Sequence, residues 1–245
     1  MMNYTPPATL LTGRVILVTG AGDGIGCAAA KSFAAHGATV ILLGRTIRKL
    51  EAVYDEIEQA GHPQAAIYPM NLEGASSNDY KQLADTVEKE FGQLDGLLHN
   101  ASQLGVLTPL EHYDITLWYQ VMQVNLHAPF LLTQACLNLM KKSTDASIVF
   151  TSAPVGQKGR AYWGAYATSK FAINGIMQIL ADELENNTAI RVNAINPGAV
   201  RTALRANAYP GEDPTTLPLP ETIMPVYLYL MGPDSKNING QTLDV

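Results

Sequence analysis

Tyr166 and Lys170 stand four residues apart in the run Ala161-Tyr162-Trp163-Gly164-Ala165-Tyr166-Ala167-Thr168-Ser169-Lys170-Phe171. On an α-helix that spacing puts both side chains on one face. A phenol is a poor acid or base at neutral pH, because its pKa lies near ~10. A lysine ammonium a few ångströms away stabilises the phenolate and lowers that value. The pair is therefore a candidate proton donor to a carbonyl under reduction, or base for an alcohol under oxidation. A surface helix with an incidental pair is the plain alternative, so the motif needs its context.

The context begins at Thr19-Gly20-Ala21-Gly22-Asp23-Gly24-Ile25-Gly26. An apolar run, Arg14 to Val18, precedes it, and a helical pattern through His36 follows. Glycines let the backbone turn tightly and let a phosphate approach the helix N-terminus, where free N–H groups favour anions. Strand, glycine turn and helix together indicate dinucleotide binding. A second strand, Thr39 to Leu43, ends in Gly44-Arg45. An acid near this point usually holds the adenosine ribose hydroxyl, and an arginine suits a 2′-phosphate instead. NADP(H) is thus expected over NAD(H), with a solvated Arg45 as the alternative. Asn71 is placed to meet a base edge, or equally to serve its own turn.

Strand and helix alternate along the whole chain. Further strands are expected at Ala65 to Tyr68, Gly96 to His99, Ser147 to Thr151, Arg191 to Ile195 and Gln241 to Val245. Helices are expected at Thr46 to Ala60, Asp79 to Phe91, Leu117 to Met140, Tyr166 to Glu185 and Ile223 to Met231. Asn125 interrupts the longest of these, and asparagine competes there for backbone bonds, so a local kink is expected. The pattern makes an α/β fold: about seven parallel strands, doubly wound, with helices on both faces in one domain, residues 1–245. The proline-rich stretch 200–220 reads as a mobile substrate loop.

Composition sets the outer bounds. The apolar fraction of 47% and charged fraction of 16% are ordinary for a soluble enzyme. A net charge of −6 argues against nucleic acid and anionic membranes as partners. No stretch reaches the ~18 apolar residues of a membrane span, and Met1 to Leu10 lacks the pattern of a signal peptide. Cys27 and Cys136 lack metal-ligand spacing and read as reduced core thiols, so a cytoplasmic protein without a metal is expected. The helix from Leu117 carries apolar residues on more than one face, including Trp118, Phe130 and Leu139, which predicts a homodimer or homotetramer.

The order and spacing of Thr19-Gly20-x-x-x-Gly24-Ile25-Gly26, Asn100-Ala101, Asn125, Tyr166-x-x-x-Lys170 and Pro197-Gly198 resemble the short-chain dehydrogenases/reductases over essentially the whole chain. The likeness is greatest to a bacterial group of oxidoreductases without an assigned substrate. It implies a Rossmann-type fold and hydride transfer between NADP(H) and a small carbonyl or alcohol. Tyr166 would exchange the proton, and Lys170 would also hold the nicotinamide ribose. Asn125 would position a water. Gly20, Gly22, Asp23, Gly24, Ile25 and Gly26 would carry the pyrophosphate. Asn71, Leu72, Asn100, Ala101, Pro197, Gly198 and Val200 would border the rest of the cofactor.

Two departures from the family pattern stand out. The chain reads His99-Asn100-Ala101-Ser102 where the family has Asn-Asn-Ala-Gly, which adds a side chain beside the cofactor. The carbonyl-orienting serine, thirteen residues before the tyrosine, is Ala153. Ser152 is adjacent, but neighbours on a strand face opposite ways unless Pro154 breaks the alternation. Losing one such donor typically costs about 10²–10³ in rate. The expectation is an impaired enzyme that gains from Ala153→Ser. The alternative is an NADP(H)-binding sensor or scaffold with little catalysis.

Overall fold

The computed structural model describes residues 4–245. Its core is a seven-stranded parallel sheet: β1 (Val15–Thr19), β2 (Thr39–Gly44), β3 (Ala66–Pro69), β4 (Gly96–His99), β5 (Ala146–Thr151), β6 (Ile190–Asn196) and β7 (Thr242–Asp244). The spatial order is β3-β2-β1-β4-β5-β6-β7. Strands β1, β4, β5 and β6 are buried at every position, which is why they read as continuous apolar runs. Leu17 pairs with Ile41 on one side and Leu97 on the other. The chain order reverses between β1 and β4. The crevice at the carboxyl ends of these strands is where such sheets bind ligands.

Two apolar layers cover the sheet. Helices α1 (Gly24–Ala35) and α2 (Ile47–Gln59) lie on one face with the C-terminal helix Met224–Met231. Helix α3 (Ser77–Phe91) lies on the other, with the helices Ala128–Met140 and Gly164–Glu185. Far from the crevice, Asp145 binds both Arg14 and Arg191, tying the amino ends of β1, β5 and β6 together. Among the described residues no helix is long and apolar enough to cross a membrane.

The expected helix from Leu117 to Met140 is two: α4 (Ile115–Met122) and α5 (Ala128–Met140), joined by a π-turn over Gln123–His127 with Asn125 at its centre. Pro129 enters the first turn of α5, where its missing N–H removes a bond the continuous ladder would need. Leu139 is buried in the core, and the exposed apolar residues of this region are instead Ile115, Tyr119 and Phe130.

The stretch 200–220 carries local structure of its own. It holds α7 (Ala203–Ala208), capped by Thr202 Oγ1 accepting from Arg205 N at 3.1 Å. Two short 3₁₀ turns follow, Pro214–Thr216 and Pro220–Ile223. Prolines open both turns, at positions where no N–H is required. Arg201 N donates to Pro218 O at 2.9 Å and closes the segment. The chain's last long helices are α6 (Gly164–Glu185) and α8 (Met224–Met231).

Candidate active site

The glycine turn is held by close backbone packing. Gly20 and Gly24 take positive φ, 69° and 52°. A Cβ on Gly26 would lie 2.2 Å from Gly20 O, so only glycine lets α1 sit this close to the end of β1. Thr19 Oγ1 accepts from the amides of Asn100 at 3.0 Å and Ala101 at 3.1 Å. That side chain joins the ends of β1 and β4 under the crevice.

Above them lies a cleft of about 790 Å³, running from Arg45 and Lys49 at one end to Tyr166 and Tyr209 at the other. Gly20, Gly22, Asp23, Gly24 and Ile25 line it, as do Arg45, Asn71, Leu72, Asn100, Ala101, Ser152, Tyr166, Lys170, Pro197, Gly198 and Val200. Two expected residues stand behind the wall instead. Gly26 has no side chain and is buried against Gly20 O. Asn125 is buried, with Oδ1 accepting from Gln103 N at 2.7 Å and Nδ2 donating to Gln103 O at 2.9 Å and Ser169 Oγ at 3.1 Å. Its side-chain amide is committed to protein partners and grips the Gln103 backbone.

At the β2 end, Arg45 is exposed and no acid follows the strand. Lys49 pairs with Asp23 and holds that carboxyl below its ordinary range. This pairing spans the glycine turn and α2, and only opposite charge hints at it in the sequence. Asn71 Oδ1 accepts from Glu73 N at 3.2 Å, the turn bond that was the alternative to base contact.

At the other end, Tyr166 and Lys170 leave α6 together and are both buried. Lys170 Nζ lies 5.4 Å from the centre of the Tyr166 ring and donates to Thr151 O at 2.8 Å. Burial pushes Tyr166 up to about 12, and the Ser102 hydroxyl pulls the other way. Burial pulls Lys170 down to about 8. The spacing argument expected Lys170 to depress the tyrosine. Desolvation wins instead, because both groups sit where water is excluded.

Ala153 occupies the expected place: it packs with Tyr166, Trp163, Val155 and Ala208 in an apolar cluster joined by Leu104, Leu204 and Tyr209. Its backbone is extended, φ −161° and ψ 161°, so strand alternation continues through it and Pro154 does not re-aim Ser152. The Ser152 hydroxyl is buried and has no partner.

Sequence reasoning missed the aromatic roof. Trp163 lies 5.7 Å from Tyr166 and 5.8 Å from Tyr209, centre to centre. Arg160 Nη1 donates to Tyr209 OH at 2.6 Å, and the Arg205 guanidinium lies 3.7 Å over the same ring. Arg205 also grips Glu212 through two 2.6 Å bonds, and Arg201 donates to the carbonyls of Thr215 and Leu217. Neither arginine is a free anion clamp.

A family model of short chain dehydrogenases matches residues 14–213. The Escherichia coli oxidoreductase YciK, described as uncharacterised, is 50% identical over 243 residues, which cover 99% of this chain and 96% of that one. A crystal structure of a short chain dehydrogenase from Salmonella enterica serovar Typhi shares 51% identity and a TM-score of 0.96, covering 98% of this chain and 99% of that one. A Shigella flexneri structure complexed with NADP shares 50% identity and a TM-score of 0.94, covering 97% and 99%.

Proposed function

The chain belongs to the short-chain dehydrogenase/reductase family, and from that premise we propose an NADP(H)-dependent enzyme that interconverts a small, apolar carbonyl compound and its alcohol. The observation that carries this reading is one cleft holding the glycine cradle at one end and the buried Tyr166–Lys170 pair at the other. A dinucleotide fits the cradle, because the first-turn amides of α1 lack helical acceptors and a Cβ at Gly20, Gly22 or Gly26 would crowd neighbouring atoms. Gly20, Gly22, Asp23, Gly24 and Ile25 would hold the pyrophosphate. Arg45 would take the 2′-phosphate, and Pro197, Gly198 and Val200 would border the nicotinamide. Bound NADPH supplies the hydride.

The chain's own residues supply the rest. Tyr166 remains protonated at working pH and gives its proton to the carbonyl oxygen as negative charge builds there. Lys170, held by Thr151 O, sets a positive charge beneath that oxygen and can reach the ribose hydroxyls. Asn125 fixes the backbone at Gln103 and, through Ser169, keeps that segment against α6. Trp163, Leu204 and Tyr209 exclude water from the substrate end. Ala153 favours a second reading, cofactor binding with little turnover. NADPH binding without oxidation across a panel of small ketones and diketones would mark that reading.

Cofactor choice tests the adenosine end. NADPH is expected to bind at least ~10-fold tighter than NADH, since a guanidinium–phosphate contact is worth about 1.5–3 kcal/mol. Arg45→Ala should remove that preference and leave NADH affinity in place. Equal weakening of both cofactors in a titration of dissociation constants contradicts the assignment.

Assembly as a homodimer or homotetramer is proposed from an uncovered apolar surface. Ile115, Tyr119 and Phe130 on α4 and α5, with Phe171 and Ile179 on α6, are 44–66% exposed. Sedimentation at micromolar concentration is expected to show a dimer or larger, and a monomer there would remove the proposal.

A further inference from the structure

Ala153 leaves Tyr166 as the one side-chain donor expected at the substrate oxygen. Four other hydroxyls border that end of the cleft: Ser102, Thr151, Ser152 and Tyr209. The Tyr209 hydroxyl is engaged, accepting from Arg160 Nη1 at 2.6 Å. Thr151 Oγ1 is engaged, with Asn100 Oδ1 at 3.3 Å and Tyr227 OH at 3.4 Å. The Ser152 hydroxyl is also buried without a partner, but Ala153 packs with Tyr166 in extended backbone, and strand alternation puts the residue before it on the opposite face.

Ser102 differs from these three. The backbone is pinned on either side of it: Asn100 and Ala101 on Thr19 Oγ1, and Gln103 on Asn125. Its hydroxyl is buried and forms no aligned hydrogen bond with any protein group. It lines the same cleft as Tyr166, and the Gln103 amide beside it is tied through Asn125 and Ser169 to the Tyr166 carbonyl; in keeping with that placement, it favours ionisation of the Tyr166 phenol. A buried hydroxyl without a partner carries a desolvation cost that an incoming acceptor would relieve. A substrate oxygen placed to receive the Tyr166 proton would enter the cleft that this hydroxyl borders.

We propose that the Ser102 hydroxyl is the second hydrogen-bond donor to the substrate's carbonyl oxygen, in place of the group that Ala153 lacks. This rests on the reductase reading of the site. In the reducing direction the carbonyl carbon accepts a hydride from NADPH, which is oxidised. The π pair of the C=O bond moves to oxygen, which takes the Tyr166 proton and leaves a phenolate. Ser102 keeps its own proton throughout: it donates to the carbonyl oxygen as charge builds, then to the Tyr166 phenolate. The added side chain at the position where the family has glycine thereby offsets the missing one thirteen residues before Tyr166.

The test uses the full chain, NADPH and camphorquinone, a small apolar diketone. Position 102 does not take the left-handed backbone, since Tyr162 is the one non-glycine residue with positive φ among the described residues, so Ser102→Ala is sterically compatible. Ser102→Ala is expected to lower kcat by about 10²–10³ with NADPH affinity retained, and Ser102→Thr to keep most of the rate. Ala153→Ser should raise kcat more in the Ser102→Ala background than in the wild type, because both hydroxyls serve one oxygen. A second readout needs no turnover. The phenolate absorbance of Tyr166, taken as wild type minus Tyr166→Phe with NADP⁺ bound, should move to higher pH in Ser102→Ala. If Tyr166→Phe is inactive while Ser102→Ala keeps wild-type kcat, Ser102 is overturned and the reductase reading stands. A Ser152→Ala loss in place of a Ser102→Ala loss overturns it as well, and so does an unmoved titration midpoint. A Tyr166→Phe enzyme as active as the wild type overturns the reductase reading and this proposal with it.

Discussion

Tyr166→Phe is expected to lower kcat for carbonyl reduction by about 10²–10⁴, the usual worth of a positioned general acid, with NADPH affinity unchanged. The phenyl ring keeps the packing against Trp163 and loses only the hydroxyl. Lys170→Ala should lower kcat and weaken NADPH binding together, since one ammonium serves both the oxygen and the ribose. The pair also predicts a pH profile. Lys170 is pulled down to about 8 by burial, so it is charged below that pH and neutral above it. Tyr166 is pushed up to about 12 and stays protonated over the whole working range. Reduction, which gains from the positive charge, should therefore decline as pH rises through about 8, with no second limb from the tyrosine. The profile of kcat/KM reports groups of the free enzyme and is the one to measure. A flat profile from pH ~6 to ~10, or an active Tyr166→Phe, contradicts the assignment.

Gly26→Ala should weaken NADPH binding by ~100-fold or more while the sheet stays folded. The added methyl would lie 2.2 Å from Gly20 O and 2.6 Å from Asn100 Nδ2. Both are parts of the cradle, so α1 must back away or the glycine turn must open. Overpacking of this kind costs about 1–3 kcal/mol or more, and each ~1.4 kcal/mol is tenfold in affinity. Gly211→Ala is the matched control. Its added Cβ meets nothing within 4 Å and its φ is not positive, so affinity should hold. Wild-type NADPH affinity in Gly26→Ala would show that the turn does not carry the pyrophosphate.

The fold was legible in the sequence because its signals are local. Continuous apolar runs marked β1, β2, β4, β5 and β6, since a parallel sheet covered on both faces leaves no strand position for water. The glycines after β1 and the four-residue spacing of Tyr166 and Lys170 are equally local, and both ends of the cleft follow from them. The kink at Asn125 was readable for the same reason: a poor helix former just before Pro129 disturbs its own turn. The short helix and turns of stretch 200–220 were not legible, because prolines there read only as loop. Here they open 3₁₀ turns that are stitched by contacts such as Arg205 to Glu212.

By itself, then, the sequence determined the order of strands and helices, the glycine turn after β1 and the pairing of Tyr166 with Lys170 on one helix. Periodicity and i,i+4 spacing are written within a few residues of each group. The tertiary structure alone decided how these groups behave. It placed Asn125 behind the wall of the cleft and brought Ser102 and Tyr166, 64 positions apart in the chain, to line one cleft. It also raised Tyr166 and lowered Lys170 where helical spacing suggested mutual charge stabilisation. The reason is desolvation: a side chain's pKa and its free hydrogen bonds depend on which distant segments exclude water from it.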